Sequence, residues 1–255
     1  MTGQNLRHAL VISSGSSLIE AASPLPERTE AEIKLAVKAH YSEVGKGGSC
    51  CCGPGAGARS AGVLSLGCGS PVRYAGLKAG MTVLDLGSGG GVDVFAASRR
   101  MLGSGKVIGV DSTPQMILQA REAAAQLGFV NVEFRQGELE KLPVENDSVD
   151  IVLSNCVINL VPDKRKAFAE AFRVMKHGSS LTISDVIADK PLPQRVKEDL
   201  DLWSRCEAGC LTRQELRSSL EAVGFVDYRE RGESMWKEEG EDIRLVSLTF
   251  SARKP

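Results

Sequence analysis

The sequence lacks several features that would assign it to a common functional class. It has no apolar run near the roughly 20 residues that a membrane-spanning helix needs. Lysine and arginine number 31 against 32 acidic residues, so no basic excess is present to neutralise the phosphates of a nucleic acid. The apolar block near the N-terminus, "ALVI", is shorter than the roughly 7–15 residues of a secretory signal. We therefore expect a cytoplasmic protein whose partners include neither nucleic acid nor membrane.

Histidine is also scarce, whereas cysteine is not. His8, His40 and His177 offer no clear base for removing a proton from an oxygen or carbon acceptor. Seven cysteines are an odd number, and the chain is long enough to bury a core without disulfide bonds. In a reducing compartment such thiols are buried fillers, metal ligands or reactive groups. The seven are Cys50, Cys51, Cys52, Cys68, Cys156, Cys206 and Cys210.

Short β-branched segments alternate with helical segments from Met81 onward. The strand-like segments include "MTVLDLG", "KVIGVDS", "NVEFRQG", "SVDIVLSN" and "SLTISDV". This alternation predicts right-handed βαβ units, and hence an α/β fold with a doubly wound, mostly parallel sheet that carries helices on both faces. Two further strand-like segments, "VDYRERG" and "DIRLVSLTFSARK", are expected to form a closing pair at the C-terminus.

A glycine-rich turn follows the first of these strands. In "LDLGSGGGVD" Asp85 precedes Gly87, Gly89 and Gly91, and glycines at this point let the backbone approach a ligand at the carboxyl edge of the sheet. Val92 stands where a dinucleotide fingerprint would have its third glycine. A carboxylate at Asp85 would repel a pyrophosphate but suits a ligand with an ammonium and a sulfonium group. The pattern therefore favours S-adenosylmethionine as cofactor.

Further residues in register with this turn complete the predicted cofactor site. Asp111 ends the second strand, 20 residues after Gly91, where it can accept both ribose hydroxyls; alone it would serve NAD equally well. Glu138 follows the third strand and is placed to meet the adenine edge, with Met116 over a ring face. The predicted cofactor residues are Asp85, Gly87, Ser88, Gly89, Gly91, Asp111, Met116, Glu138 and Asn155.

Three cysteines occur where a substrate would bind. Cys156 follows the fourth strand in "SNCVINL", Cys206 lies at the end of a helical segment, and Cys68 precedes the first strand. Each one alone is more often a packing residue. Three thiols converging on one cleft, however, are suited to a soft, thiophilic centre.

Seven segments together resemble the arsenite S-adenosylmethionine methyltransferases, a family of class I methyltransferases. They are "LGCGSP", "VLDLGSGGG", "GVDSTPQMI", "NVEFRQGELEKLPV", "DSVDIVLSNCVINLVPDK", "AFRVMKHG" and "ISDVI", and the resemblance covers about residues 41–225. It implies a seven-stranded Rossmann-like sheet and trivalent arsenic held by Cys68, Cys156 and Cys206. It also links Cys50, Cys51 and Cys52 to substrate capture and thiol–disulfide exchange.

The resemblance further implies a division of the chain and a set of partners. Residues 1–40 would be an N-terminal extension with a leading helix, 41–190 the cofactor-binding domain with a cysteine-rich loop at 45–71, and 191–255 a region that covers the substrate and completes the sheet. The expected substrates are arsenite and methylarsenite, and the expected reductant is glutathione or a thioredoxin-type thiol. Nothing in the sequence suggests a dedicated subunit interface, so we expect a monomer.

The sequence departs from the family pattern at two places and is compatible with two alternative functions. The family usually has Pro-Gly-Gly where this chain has His177-Gly178-Ser179, and a small residue at Cys210, which could compete with Cys206 as a ligand. One alternative is a class I methyltransferase acting on an organic molecule of the quinone or sterol type, with cysteines used only for packing. The other is a thiol-based metalloid-binding protein or sensor without catalysis.

Overall fold

The computed structural model describes residues 28–46, 59–60, 63–64, 66–239 and 243–255. Cys50, Cys51 and Cys52 lie outside these ranges, as does most of the predicted N-terminal extension. The hypothesis that these three thiols capture substrate is therefore not addressed by the fold. No helix in the described ranges has the length and apolar character that crossing a membrane requires.

The described residues contain seven α-helices, ten strands and two 3-10 helices, Pro71–Arg73 and Ile158–Leu160. The helices are α1 Glu30–Gly45, α2 Val92–Arg100, α3 Pro114–Gln126, α4 Lys164–Val174, α5 Gln194–Lys197, α6 Leu200–Ser204 and α7 Arg213–Val223. The strands are β1 Arg59–Ser60, β2 Val63–Leu64, β3 Thr82–Leu86, β4 Lys106–Asp111, β5 Val132–Gln136, β6 Val149–Asn155, β7 Met175–Ala188, β8 Leu211–Thr212, β9 Val226–Glu239 and β10 Ile243–Arg253.

The main sheet has the strand order β5-β4-β3-β6-β7-β10-β9. Strands β3 to β7 run parallel to one another, and β10 pairs antiparallel with both β7 and β9. The short β8 pairs with the carboxyl end of β7 beyond the last residue of β6, because β10 already occupies the other side of β7. The predicted seven-stranded, mostly parallel sheet is therefore confirmed, with β8 as a short addition.

Alternating residues of the central strands build two separate cores, one on each face of the sheet. Val83 of β3 packs with α2 and α3, whereas its neighbours Leu84 and Leu86 pack with α4 and α7. All three side chains are almost completely buried. Burial on both faces explains why β3 is nearly continuous in apolar residues apart from Asp85, as a central parallel strand requires.

Three local predictions need correction. The pattern around "KRKAFAEAFRVMKHG" predicts a helix to Gly178, but α4 ends at Val174 and the following residues belong to β7. The segment 193–209 reads as a single helix, yet it forms α5 and α6, because the Asp199 carboxylate accepts from the backbone N–H groups of Asp201 and Leu202 and begins a new helix. Ser112 and Gln115 resemble a capping box, but Thr113 holds the N-cap position without a side-chain bond.

Candidate active site

A cleft opens at the carboxyl ends of the parallel strands, with about 1000 Å³ of empty space when its open mouth is included. In the sheet, β3 has β4 on one side and β6 on the other, so the strand order reverses at β3. The cleft lies at this reversal, which is where open α/β sheets bind their ligands. Its walls come from α1, the loop after β3, and the segments that follow β4, β5 and β6. The size suits a ligand of nucleoside dimensions.

The glycine turn after β3 forms the floor of this cleft. Gly87, Gly89 and Gly91 all have positive φ angles, of 67°, 50° and 94°, which other residues adopt only with strain. A side chain at Gly87 would collide with Val157, and one at Gly91 would lie 2.8 Å from the Phe134 ring. Gly89 instead has open space where its side chain would be. The backbone is therefore exposed to the cleft at Gly89.

Three carboxylates converge beside the turn. Both oxygens of Asp111 accept backbone N–H bonds, from Gly89 at 2.9 Å and from Thr113 at 2.8 Å, and each keeps a further lone pair for a ligand. Burial raises the pKa of Asp85 well above its usual range, and the negative charges of Asp93 and Asp111 raise it further. Burial also raises the pKa values of Asp93 and Asp111. Such a group of acids would be stabilised by a cationic ligand.

The remaining predicted cofactor residues also reach the cleft. Met116 is 1% exposed and lines one wall. The Ser88 hydroxyl is buried with no hydrogen-bond partner among the described residues, as expected of a group that bonds a ligand. Glu138 lines the cleft as well, but its carboxylate pairs with Lys38 and, at 3.9 Å, with Lys34 on α1. An exposed backbone turn, three neighbouring acids and an unpartnered hydroxyl fit the charge and polarity of S-adenosylmethionine.

The cysteines form a second cluster beside the cleft, which Cys156 lines. The sulfurs of Cys68 and Cys156 and a carboxylate oxygen of Asp185 all lie within 4.8 Å of one another. The Cys206 thiol donates to the backbone carbonyl of Cys156 at 3.2 Å. Hydrogen bonding with the thiols of Cys206 and Cys68, together with burial, raises the pKa of Cys156 well above its usual range. Residues from three distant parts of the sequence therefore meet here.

Two of these thiols have an unusual backbone conformation. Cys156 and Cys206 have φ angles of 61° and 63°, in the left-handed region that disfavours side chains with a Cβ. Cys156 comes directly after β6, and Cys206 comes directly after Arg205, the C-cap residue of α6. Strain of this kind, of order 1–3 kcal/mol each, is typical of functional positions. It turns both thiols toward a common region.

Asn155 connects the cofactor side of the cleft to the thiol side. Its side-chain oxygen accepts from the backbone N–H groups of Cys68 at 3.0 Å and Gly69 at 3.2 Å. Its amide nitrogen donates to the Asp93 carboxylate at 2.8 Å and to the Gly69 carbonyl at 3.0 Å. Asn155 lines the cleft as predicted, and it also fixes the loop that carries Cys68.

Cys210 differs from the other three thiols in its surroundings. Its sulfur donates to the Cys206 carbonyl at 3.0 Å and accepts from the Asn159 side-chain amide at 3.3 Å. Asn159 also donates to the carbonyls of Val186 and, at 3.2 Å, Cys206. Burial raises the pKa of Cys210 well above its usual range. Cys210 is thus part of the packing that holds the Cys206 segment against β7.

Sequence reasoning missed three residues of this site. Tyr41 of α1 lines the cleft, and its hydroxyl is 3.9 Å from the Cys206 sulfur; no local sequence signal marks it. Asp93 follows the glycine turn by two residues, and Asp185 lies on β7 in "ISDV", next to the segment that pairs with β6. The acidic character of both, at the carboxyl edge of the sheet, was a usable signal.

Comparison with known proteins gives a consistent assignment. Residues 77–224 match the family described as a methyltransferase domain. An arsenite methyltransferase from Halobacterium salinarum is 45% identical over 202 residues, which are 75% of this chain and 51% of the relative. One from Mus musculus is 37% identical over 184 residues, which are 66% of this chain and 49% of the relative. The chain spans about half the length of the curated relatives it matches.

A solved structure extends the similarity to three dimensions. An arsenic(III) S-adenosylmethionine methyltransferase from Chlamydomonas reinhardtii has a TM-score of 0.68 and 33% identity to this chain, covering 86% of this chain and 73% of that one. The sheet order, the glycine turn with its acids and these relatives agree with one another. The chain therefore belongs to the arsenite methyltransferase family of the S-adenosylmethionine-dependent class I methyltransferases.

Proposed function

We propose that this chain is an arsenite methyltransferase, which transfers a methyl group from S-adenosylmethionine to trivalent arsenic bound by cysteine thiols. The observation that carries the proposal is the convergence of Cys68 and Cys206 on Cys156, which lines the same cleft as Asp85 and Asp111. An organic acceptor would not require thiols from three separate segments at this point. The arsenite methyltransferases among its relatives support the same substrate.

The three thiols bind the substrate in this scheme. Arsenous acid exchanges its three hydroxyl groups for three sulfurs, and each thiol proton leaves with a hydroxyl as water. The exchange needs no net proton acceptor, which suits a site without a histidine base and with a Cys156 thiol that is protonated at neutral pH. Arsenic bound to three sulfurs keeps one lone pair, and this pair is the nucleophile. Holding it in line with the methyl group is the main contribution of the protein.

The acids and the glycine turn bind the cofactor, which supplies an electrophilic methyl group on a sulfonium when bound. Asp85 accepts from the ammonium group, and Asp111 accepts from the ribose hydroxyls with the lone pairs that Gly89 and Thr113 leave free. Gly87, Ser88, Gly89 and Gly91 form the turn beneath the ligand, while Met116, Glu138 and Asn155 line its walls.

Methyl transfer forms an arsenic–carbon bond while the sulfonium–methyl bond breaks and S-adenosylhomocysteine leaves, and arsenic formally changes from the trivalent to the pentavalent state. A dithiol or two monothiols must then supply two electrons and become a disulfide. We assign this role to glutathione or a thioredoxin-type reductant, with Cys50, Cys51 and Cys52 as the thiols that exchange with it. The free thiols at Cys68, Cys156, Cys206 and Cys210 support a reducing, cytoplasmic setting. The proposed enzyme acts as a monomer.

The direct test is methyl transfer from labelled S-adenosylmethionine to arsenite in excess thiol. Wild-type protein is expected to give arsenite-dependent transfer, and Cys156→Ser is expected to lose it while still binding the cofactor. Full activity of Cys156→Ser would contradict the thiol scheme. If no transfer to arsenite occurs and thiol-blocking reagents leave methylation of an organic acceptor intact, the cysteines are packing residues. Binding of both ligands without any transfer would indicate a metalloid sensor instead.

A further inference from the structure

The cysteine cluster beside the cleft also contains a carboxylate. Cys68, Cys156 and Asp185 contribute two sulfurs and one carboxylate oxygen, all within 4.8 Å of one another. The Cys206 sulfur is not part of this cluster; it bonds the Cys156 carbonyl and lies 3.9 Å from the Tyr41 hydroxyl. The pocket therefore offers two overlapping sets of three donors.

The two donor sets suit different elements. Trivalent arsenic is thiophilic and favours the set with three sulfurs. Zinc accepts thiolate and carboxylate ligands together, at about 2.3 Å from sulfur and about 2.0–2.2 Å from oxygen. Tetrahedral ligands at those lengths are about 3.5–3.8 Å apart, so a cluster within 4.8 Å needs only a small contraction. We infer that Cys68, Cys156 and Asp185 form a site for zinc or a similar borderline divalent metal, which competes with arsenite for the two shared thiols.

Asp185 is held in the manner of a metal ligand. Its two oxygens accept backbone N–H bonds from Val186 at 2.8 Å and from Asn159 at 3.2 Å, and its side chain is buried on β7. Outer-shell bonds of this kind fix the orientation of a ligating carboxylate and leave it a lone pair for the metal. A water molecule would complete the tetrahedron on the side where Cys68 is partly exposed.

One feature of the surroundings opposes a cation. The buried Lys164 acts electrostatically on Asp185, donates to the Val161 carbonyl at 2.9 Å and lies over the Trp203 ring. Its positive charge weakens the attraction of the pocket for a metal ion. We therefore expect zinc to bind reversibly and more weakly than in a closed structural site with four protein ligands.

Zinc binding is testable on the wild-type protein without arsenite or S-adenosylmethionine. Cobalt(II) serves as the spectroscopic probe, titrated alone into reduced protein and then displaced by zinc. Zinc X-ray absorption is expected to show two sulfur ligands with oxygen in the remaining positions. Three sulfur ligands would mean that Cys206 replaces Asp185 and would overturn the assignment. Absence of binding would overturn it as well.

A pair of variants separates the two donor sets. Asp185→Asn is expected to weaken zinc binding by at least about 10–100-fold, because loss of even an outer-shell partner of a metal ligand costs that much. Cys206→Ser is expected to weaken arsenite binding far more than zinc binding. The ratio of arsenite affinity to zinc affinity should therefore rise in Asp185→Asn and fall in Cys206→Ser. Equal losses of both ligands in both variants would contradict separate donor sets. If Asp185→Asn does not fold, the number of sulfur ligands seen by zinc X-ray absorption in the wild-type protein still tests the assignment.

The proposed function and this metal site share Cys68 and Cys156, but different experimental results would refute each of the two proposals. A protein that binds zinc through two sulfurs yet transfers no methyl group to arsenite would retain the metal site and refute the proposed activity. A protein that methylates arsenite at a rate unaffected by zinc would retain the activity and refute the metal site. Competitive inhibition by zinc, relieved when arsenite is raised, is the result that we expect.

Discussion

The side-chain amide of Asn155 donates to the Asp93 carboxylate at 2.8 Å, across the boundary between the cofactor cleft and the thiol cluster. Asp93 belongs to the first turn of α2, next to the glycine turn. Through its oxygen, the same amide holds the backbone of Cys68 and Gly69. One side chain at the end of β6 thus sets the position of the loop that carries a proposed arsenic ligand relative to the cofactor site.

Asn155→Ala should weaken arsenite binding more than S-adenosylmethionine binding. The substitution removes the acceptor of the Cys68 and Gly69 N–H groups, and each lost hydrogen bond costs about 0.5–1.5 kcal/mol, since neither group is fully buried. We expect the dissociation constant for arsenite to rise about 10-fold or more, measured by tryptophan fluorescence, with a smaller change for the cofactor by calorimetry. Asn146→Ala, which removes an exposed acceptor of Arg173, is the control and should change neither. Loss of cofactor affinity alone would show that Asn155 is only a cofactor residue.

Cys206→Ser and Cys210→Ser should have opposite consequences although the two residues are four positions apart. Cys206 lies against Cys156 at the thiol cluster, and its replacement should abolish methyl transfer to arsenite. The Cys210 sulfur is engaged with Asn159 and the Cys206 carbonyl, and a serine hydroxyl can form both bonds. Cys210→Ser should therefore keep most of the activity. The reverse result, measured with labelled S-adenosylmethionine, would assign the third thiol to Cys210.

The sequence predicted the sheet well because its signals are local. Burial on both faces requires apolar strands, so each parallel strand was visible as a short β-branched segment, and all but β5 are followed by a helix. The glycine turn was visible because glycine adopts the positive φ of Gly89 without strain and has no side chain to collide with Val157 at Gly87. Asp85 and Asp111 followed from their register with that turn. These features depend on residues that are close in the chain.

What the sequence did not predict depends on contacts between distant segments. Tyr41 reaches Cys206 only because α1 packs over the carboxyl edge of the sheet. The apparent capping box at Ser112 failed because Asp111 takes the Thr113 N–H and Gln115 instead accepts from Ser42 on α1. In both cases a tertiary partner decided the outcome, and no local pattern contains that information.

Gly89→Ala should impair cofactor binding with only a modest loss of stability. Gly89 has a φ of 50° and open space at the position of a side chain, which is the space of the cleft. Gly128, after α3, is the matched control, because its φ is 72° and it also has open space. An alanine in the left-handed region costs about 1–2 kcal/mol, so both variants should lose a similar free energy of unfolding.

Only the variant in the cleft should lose affinity for S-adenosylmethionine. A methyl group at Gly89 occupies the place where the backbone would contact the ligand, and we expect the dissociation constant to rise at least about 10-fold, equivalent to about 1.4 kcal/mol. Equal cofactor affinity in Gly89→Ala and Gly128→Ala, measured by calorimetry, would remove the glycine turn from the proposed site.

Glu133→Gln should destabilise the protein at neutral pH but not in acid. Hydrogen bonds from Arg135 at 2.7 Å and an ion pair with Lys106 at 2.6 Å lower the pKa of Glu133 to about 2. Because the pKa is lower in the folded state than in the unfolded chain, ionised Glu133 stabilises the fold fully above its ordinary pKa near 4.5. This contribution declines as the pH falls from that value toward about 2.

The size of the effect is limited by exposure, since 42% of the Glu133 side chain is accessible to water. We expect a loss of about 0.5–1 kcal/mol at pH 7 in denaturant titrations, the upper end of what exposed ion pairs contribute. The difference between wild type and variant should shrink as the pH approaches 2. Glu145→Gln is the control, because Glu145 is 79% exposed and 3.7 Å from Arg135, and it should show a smaller effect at every pH. A constant difference across this pH range would show that glutamine perturbs β5 by packing and not by charge.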